Sequence, residues 1–260
     1  MLSPAELVEA NMLALFRHLA AARESGETRE LPGVTIASCG ASFHMFNAAF
    51  LSGPLEGGAA ALERSIITAA VHFAARGLRW AFWLWEHRLD AAARRQVERV
   101  FSRHGLFLTS RLPGMIAEQI KPALRPRPQF QIRPVGGPVE RADFCRLVAA
   151  AFGLPAESCR EIYGPAPVWQ GAFAGFVGYV GGLPVTAAAT LEDGCAIGLY
   201  CVATAPGWER QGYGEAIVRH ALEQAASTGR PCVLQSTEAG LHLYRRMGFR
   251  TVTTVSTYSS

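Results

Sequence analysis

The sequence lacks any apolar run of the ~18–20 residues that a bilayer-spanning helix requires. It also lacks a Cys-x-x-Cys pair or a cysteine with a histidine at metal-ligand spacing, so neither a zinc ribbon nor a thioredoxin-like motif is written here. The six cysteines, Cys39, Cys145, Cys159, Cys195, Cys201 and Cys232, are scattered, and several lie in apolar runs where a thiol behaves as a small hydrophobe. Charge is sparse: 18% of residues are charged, and the net charge of +4 is too mild to choose a partner. No stretch combines clustered Lys and Arg with interleaved aromatics, so nucleic acid is not an expected partner. The nearest candidate, Lys121 to Arg133, is interrupted by Pro122, Pro126 and Pro128. Glu6 and Glu9 stand where a secretory leader would carry basic residues. The expectation is a soluble, cytoplasmic protein with reduced thiols and no metal.

What the chain does have is core-forming material: 260 residues, 50% of them hydrophobic, enough for one large or two medium domains. Met12, Leu15, Phe16 and Leu19 recur at helical spacing behind Ser3 and Pro4, a capped amphipathic helix. Val34 to Ser38 reads as a strand and Leu78 to Trp85 as an aromatic-rich central strand. Ile66, Ala69, Ala70 and Phe73 mark one helix, and Val97, Val100, Phe101 and His104 another, stopped by Gly105. Trp80, Trp83 and Trp85 read as core or as an inter-domain face, and His44 and Asn47 as loop or first-turn polar residues.

The segment 121–138 concentrates five prolines and two glycines and is the best boundary, dividing an α/β domain at 1–120 from a second at 129–260. After it come a strand (Phe130 to Val135), helices (Val139 to Phe152, Ser158 to Tyr163), and a hairpin (Phe173 to Val180, Val185 to Leu191) turning at Gly181-Gly182. Then follow a strand (Ala196 to Val202), a helix (Tyr213 to Ala226), a buried strand (Cys232 to Gln235), a helix (Glu238 to Met247) and a last strand (Phe249 to Val255). The fold class is α/β (α+β): a mixed central sheet flanked by helices, in two tandem α/β domains. The stretch RVFSRHGLF (99–107) echoes YRRMGF (244–249), which leaves room for a divergent internal repeat.

The chemistry concentrates in LYCVATAPGWERQGYGEAI (199–217). A strand passes through a Pro-Gly turn into Glu209-Arg210-Gln211-Gly212-Tyr213-Gly214 and then a helix. Amides at a helix start, with glycines that admit a close approach, make an anion site. No Gly-Lys-Ser/Thr follows, and the third glycine of a dinucleotide fingerprint is missing. Some 30 residues on comes AGLHLYRRMGF (239–249).

With both halves present in this order, the sequence resembles the GNAT superfamily of acetyl-CoA-dependent N-acetyltransferases over about its last 130 residues. The family's Gln/Arg-x-x-Gly-x-Gly/Ala loop and its Tyr-x-x-x-Gly-Phe helix end carry the likeness. The resemblance implies a GNAT-like mixed sheet and acetyl-CoA as co-substrate, with Tyr244 as general acid toward the departing thiolate. It further implies that main-chain groups of Cys201, Val202 and Ala203, with Ser236 on the facing strand, border the pantetheine arm. Arg210, Gln211, Gly212, Tyr213 and Gly214 would hold the pyrophosphate. The implied reaction is direct acetyl transfer to a primary amine in a ternary complex; the alternative is a non-catalytic acyl-CoA-binding or sensing protein. The first half would be a degenerate copy without a phosphate loop. Glu209 departs from the pattern, because a carboxylate beside a pyrophosphate is unfavourable unless it points away. No base is evident: Glu192 and Asp193 read as hairpin-turn residues, Glu238 as a helix first-turn residue and His242 as helix packing, with Ser236 or Tyr200 open as relays. Acetyl-CoA and an amine are the expected partners; a homodimer is left open.

Overall fold

A computed structural model of the protein describes residues 2–225 and 229–260. The chain packs into two compact units, Phe16–Gly114 with Thr251–Ser260, and Met1–Leu15 with Met115–Arg250.

The first of these runs from the end of helix α1 (Pro4–Ala21) through β1 (Glu27–Leu31), β2 (Val34–Ser38), β3 (Asn47–Leu51), α2 (Gly58–Ala74), β4 (Ala81–Trp85), α3 (Ala91–Arg94) and α4 (Val97–Arg103) into β5 (Phe107–Ala117). It is completed by β11 (Arg250–Ser259), giving the strand order β1-β2-β3-β4-β11-β5. Leu62, Ile66, Ala69 and Phe73 recur on one face of α2 and are fully buried, which is why this stretch is helical. They close on Ile36, Phe82, Phe101 and Tyr258, with Phe101 stacked on Tyr258 at 3.9 Å. Burial of each such ring stabilises the unit by roughly 1.5–3 kcal/mol. Every residue of β4 is buried, as a central strand requires. Trp80 lies in the core against α2, stacked on Phe73, whereas strand alternation sends Trp83 to the other face, beside Phe16.

The second unit carries β6 (Gln131–Pro134), α5 (Pro138–Phe152), α6 (Ala156–Tyr163), β7 (Phe173–Val180), β8 (Leu183–Glu192), β9 (Ile197–Thr204), α7 (Tyr213–Ala225), β10 (Cys232–Gln235) and α8 (Glu238–Arg246). Its strand order is β5-β10-β9-β8-β7-β6. The core lies under α7, where Ile217, Val218, Ala221 and Leu222 meet Leu199, Leu234, Tyr244 and Phe249. The two units share one pairing scheme: β1–β2 and β2–β3 are antiparallel and β3–β4 parallel, as β7–β8 and β8–β9 are antiparallel and β9–β10 parallel.

Packing divides the chain differently from the proline-rich boundary. The last strand pairs antiparallel with β4, from Val255↔Trp85 to Ser259↔Ala81, so the chain's end completes the first unit. Residues 4–15 of α1 belong with the second. The helix expected over Tyr213 to Ala226 is seen through Ala225; Ala226 lies outside the described residues. One reading is corrected. Asn47 is not a loop polar residue but the fully buried start of β3, donating to Ala41 O and Arg79 O at 2.8 Å and accepting from Ser38 Oγ at 2.9 Å. Among the described residues no helix is long and apolar enough to cross a membrane.

Candidate active site

Strands β9 and β10 run parallel and pair at Ile197↔Cys232, Gly198↔Val233 and Leu199↔Leu234, and there the pairing stops. Beyond it, β9 carries on to Thr204, while Ser236 leaves β10 for the start of α8. Parallel neighbours with unequal ends leave unpaired backbone groups at the parting, the geometry onto which an extended ligand adds as a strand.

The parting coincides with a bulge. Ala187 faces Ala203 and Ala189 faces Tyr200, so β9 holds one residue more than β8 over this interval. Cys201 sits in the bulge with φ +53°, a left-handed conformation unusual for a residue with a side chain. It is held there from the side, its thiol donating to the Tyr163 hydroxyl at 3.3 Å. Burial pushes the Cys201 thiol up to about 12, so it keeps its proton and is no acyl-carrying nucleophile.

The neighbouring Tyr200 is fixed just as firmly. Its hydroxyl donates to Asn11 Oδ1 at 2.6 Å, and Asn11 Nδ2 donates to Leu191 O and Ala196 O at 3.3 and 3.4 Å. Asn11 has no solvent exposure. Gly198 makes room for it: a Cβ at this position would collide with Asn11 Oδ1 and the Tyr200 ring. Helix α1 thus secures the strand that carries the bulge. With its one proton committed to Asn11, Tyr200 is not a free relay.

At the other end of β9, the loop 205–212 turns the chain into α7. Arg210 (φ +61°) and Gly212 (φ +90°) both adopt left-handed geometry, the kind of backbone from which concave nests of amides are built. The first-turn amides of α7 have no intrahelical acceptor, by helix geometry alone. A Cβ on Gly212 would come within 3.4 Å of Pro128, and one on Gly214 within 3.2 Å of Thr204 Oγ1. Trp208 and Phe130 meet the Tyr213 ring edge-on at 5.6 and 5.4 Å. The carboxylate that departs from the family pattern is turned back onto its own loop: Glu209 Oε2 accepts from Gly207 N at 2.7 Å, while Gln211 Nε2 donates to Gly207 O at 3.0 Å. Glu215, in the first turn of α7, is neutralised by the buried Arg219 at 2.8 Å and by Arg246 at 3.6 Å.

Tyr244, on α8, is 7% exposed. A Cβ on Gly240 would sit 2.9 Å from the edge of its ring and 3.3 Å from Ser236 Oγ, so ring and hydroxyl share one small space. Ser236 is fully buried and its hydroxyl donates to Thr237 O at 2.7 Å. Thr237 caps α8 by accepting from Gly240 N at 3.3 Å. Burial pushes the Tyr244 phenol up, so it stays protonated at neutral pH.

Of the acidic residues weighed as bases, the two at the hairpin turn are occupied elsewhere. Asp193 Oδ1 accepts from Cys195 N and Ala196 N at 2.8 Å, a turn role, and Glu192 pairs with Arg230 at 3.5 Å. Glu238 and His242 are exposed on α8. Among the described residues no cluster of three His, Cys, Asp or Glu side chains is placed to hold a metal. Sequence reasoning missed Asn11 and Tyr163, whose roles depend on partners 189 and 38 residues away in the chain.

Residues 169–251 match the family model of the acetyltransferase (GNAT) domain. No curated protein matches. Among solved structures, the chain is similar to a GCN5-related N-acetyltransferase from Kribbella flavida, with TM-score 0.73 and 18% identity over 100% of this chain and 96% of that one. It is similar to a functionally unknown conserved protein from Staphylococcus epidermidis, with TM-score 0.66 and 14% identity over 90% and 94% of the two chains. A GCN5-related N-acetyltransferase-like protein from Streptococcus suis gives TM-score 0.56 and 14% identity over 99% of each chain. At these identities the structures establish the shared fold, and the family model supports an acyltransferase role. Residues 169–251 of the chain therefore carry the acetyltransferase (GNAT) domain.

Proposed function

We propose that this protein binds acetyl-CoA in the parting of β9 and β10 and transfers the acetyl group to a primary amine by direct attack. The observation that carries the reading is the end of β9–β10 pairing at Leu199–Leu234, beside a left-handed bulge on one strand and a glycine-turned helix start on the other side. The amides of Gln211 to Gly214 would hold the pyrophosphate, with Arg210 adding positive charge. Main-chain groups of Val202 and Ala203 would pair with the pantetheine arm. An amide at the bulge would stabilise the oxyanion that forms as the amine nitrogen adds to the thioester carbon. When the carbon–sulfur bond breaks, the thiolate would take its proton from Tyr244, the new amide nitrogen would lose its proton to solvent, and solvent would return one to the phenolate. The occupied carboxylates favour an amine that arrives neutral. They also favour the second reading, a protein that binds acyl-CoA without turnover.

The first unit is, on this view, a copy of the same fold that has closed its own site. Pairing of β3 and β4 likewise ends after three pairs, at Phe50↔Trp83, but beyond it Leu55 N donates to Arg88 O at 2.7 Å and ties the segments that leave the two strands. Two left-handed glycines, Gly57 and Gly58, open α2, but the Asp90 carboxylate accepts from Gly58 N at 3.2 Å and Ala93 N at 2.7 Å. A built-in anion thus occupies the helix start. These amides, that of Ala93 first, hold the Asp90 carboxyl below the usual carboxylate range.

Calorimetric titration should accordingly find one acetyl-CoA per chain, and thiol release should follow on adding amines. Two sites per chain would overturn the closed copy. Binding without thiol release from any amine would favour the non-catalytic reading. The setting we propose is the cytoplasm, where the six free cysteines stay reduced.

A further inference from the structure

This inference rests on the proposed acetyl transfer and concerns the acceptor side of the same site. Cys232 and Leu234 of β10 pack into the core beneath α7, so alternation turns Val233 and Gln235 to the opposite face. Gln235 is the first residue of β10 beyond the last pair, Leu199↔Leu234, and so takes the register position across from Tyr200, where the strands have parted. Its Nε2 is shut off from solvent and has no hydrogen-bond partner. Among the described residues of this unit, it is the one side-chain nitrogen or oxygen in that state. A buried donor left unmet costs ~1–3 kcal/mol, and folded proteins rarely keep one without a use. The polar groups nearest in the fold are engaged with others: Tyr200 donates to Asn11, Cys201 to Tyr163 and Ser236 to Thr237 O.

We propose that Gln235 is a specificity-determining residue whose carboxamide N–H takes a carbonyl or carboxylate oxygen of the acceptor. The substrate class is then an amine with such an oxygen beside its amino group: an amino acid, an amino-acid amide or a peptide N-terminus, in preference to a plain alkylamine. A thioester carbonyl carries the same chemistry, and the test separates the two sources.

With acetyl-CoA saturating, kcat/KM for thiol release is measured with glycinamide, glycylglycine and n-propylamine. The wild type is compared with Gln235→Met, which keeps length without the donor, and Gln235→Glu, which when ionised only accepts. Acetyl-CoA affinity of each variant, measured by calorimetry, reports whether the fold and cofactor site are intact. The wild type should favour the two oxygen-bearing amines by ~10–100-fold. Gln235→Met should remove most of that preference while propylamine turnover and acetyl-CoA affinity stay within ~2-fold, and Gln235→Glu should do no better. An equal fall for all three amines would assign the donor to the thioester and overturn the proposal. An unchanged preference would overturn it too, leaving a buried water as the donor's partner. Binding of acetyl-CoA with no turnover of any of the three would bring down the acetyl-transfer reading, and this assignment with it.

Discussion

Replacing Tyr244 by Phe should lower kcat by about 100-fold, ~2.7 kcal/mol of barrier, while the dissociation constant for acetyl-CoA stays within about twofold. The substitution removes one oxygen from a ring that is 7% exposed and wedged beside Gly240 and Ser236, so the packing survives. What is lost is the proton for the departing thiolate. Stopped-flow or steady-state thiol release, with calorimetry for binding, separates the two quantities. The pH profile checks the same assignment. Burial raises the Tyr244 phenol, so its acid form is complete below the ordinary phenol value and is lost only as pH climbs through the raised one. The attacking amine, in contrast, becomes neutral as pH rises. The rate of the wild type should therefore climb with pH and show no descending limb below about pH 10. Unchanged kcat in Tyr244→Phe would remove the phenol from the mechanism.

Gly212→Val should cost about 10- to 100-fold in acetyl-CoA affinity, with a smaller effect on folding. Gly212 holds φ +90°, which a β-branched residue adopts only at a cost of roughly 1–2 kcal/mol. The new side chain would also crowd Pro128, already within 3.4 Å of an ideal Cβ. The loop can relieve both by relaxing, because it is exposed from Glu209 to Gly212. Relaxation turns the amides away from the phosphate, and ligand affinity falls before stability does. Calorimetric titration beside urea unfolding of the same variant measures both. Affinity equal to the wild type, in a folded protein, would mean that this turn holds no phosphate.

Much of the second unit was legible because its signals are local. Phe173–Val180 and Cys232–Gln235 are strands with the limits their apolar runs and flanking turns imply, and Val34–Ser38 likewise in the other unit. The loop into α7 was readable for the same reason: glycines needing positive φ stand in the chain where the turn needs them. The last strand, expected over Phe249 to Val255, begins one residue later and runs four residues further, to Ser259. Its end, Ser256-Thr257-Tyr258-Ser259, is mostly polar, and the partner that fixes it, β4, lies some 170 residues earlier. The same non-locality hid Asn11, a polar residue on an apolar helix whose value appears only against Tyr200, Leu191 and Ala196. Glu209 looked like a defect in the loop because sequence does not say where a carboxylate points; it points to Gly207 N. Asp90, which fills the helix start of the first unit, could not have been matched to Gly58 by spacing.

A crystal structure of the protein with CoA bound tests the central claim most directly. The account predicts diphosphate oxygens within hydrogen-bond distance of the main-chain nitrogens of residues 211–214, and the sulfur beside the hydroxyl of Tyr244. A ligand whose diphosphate sits away from that turn, or whose sulfur lies far from this phenol, would contradict it.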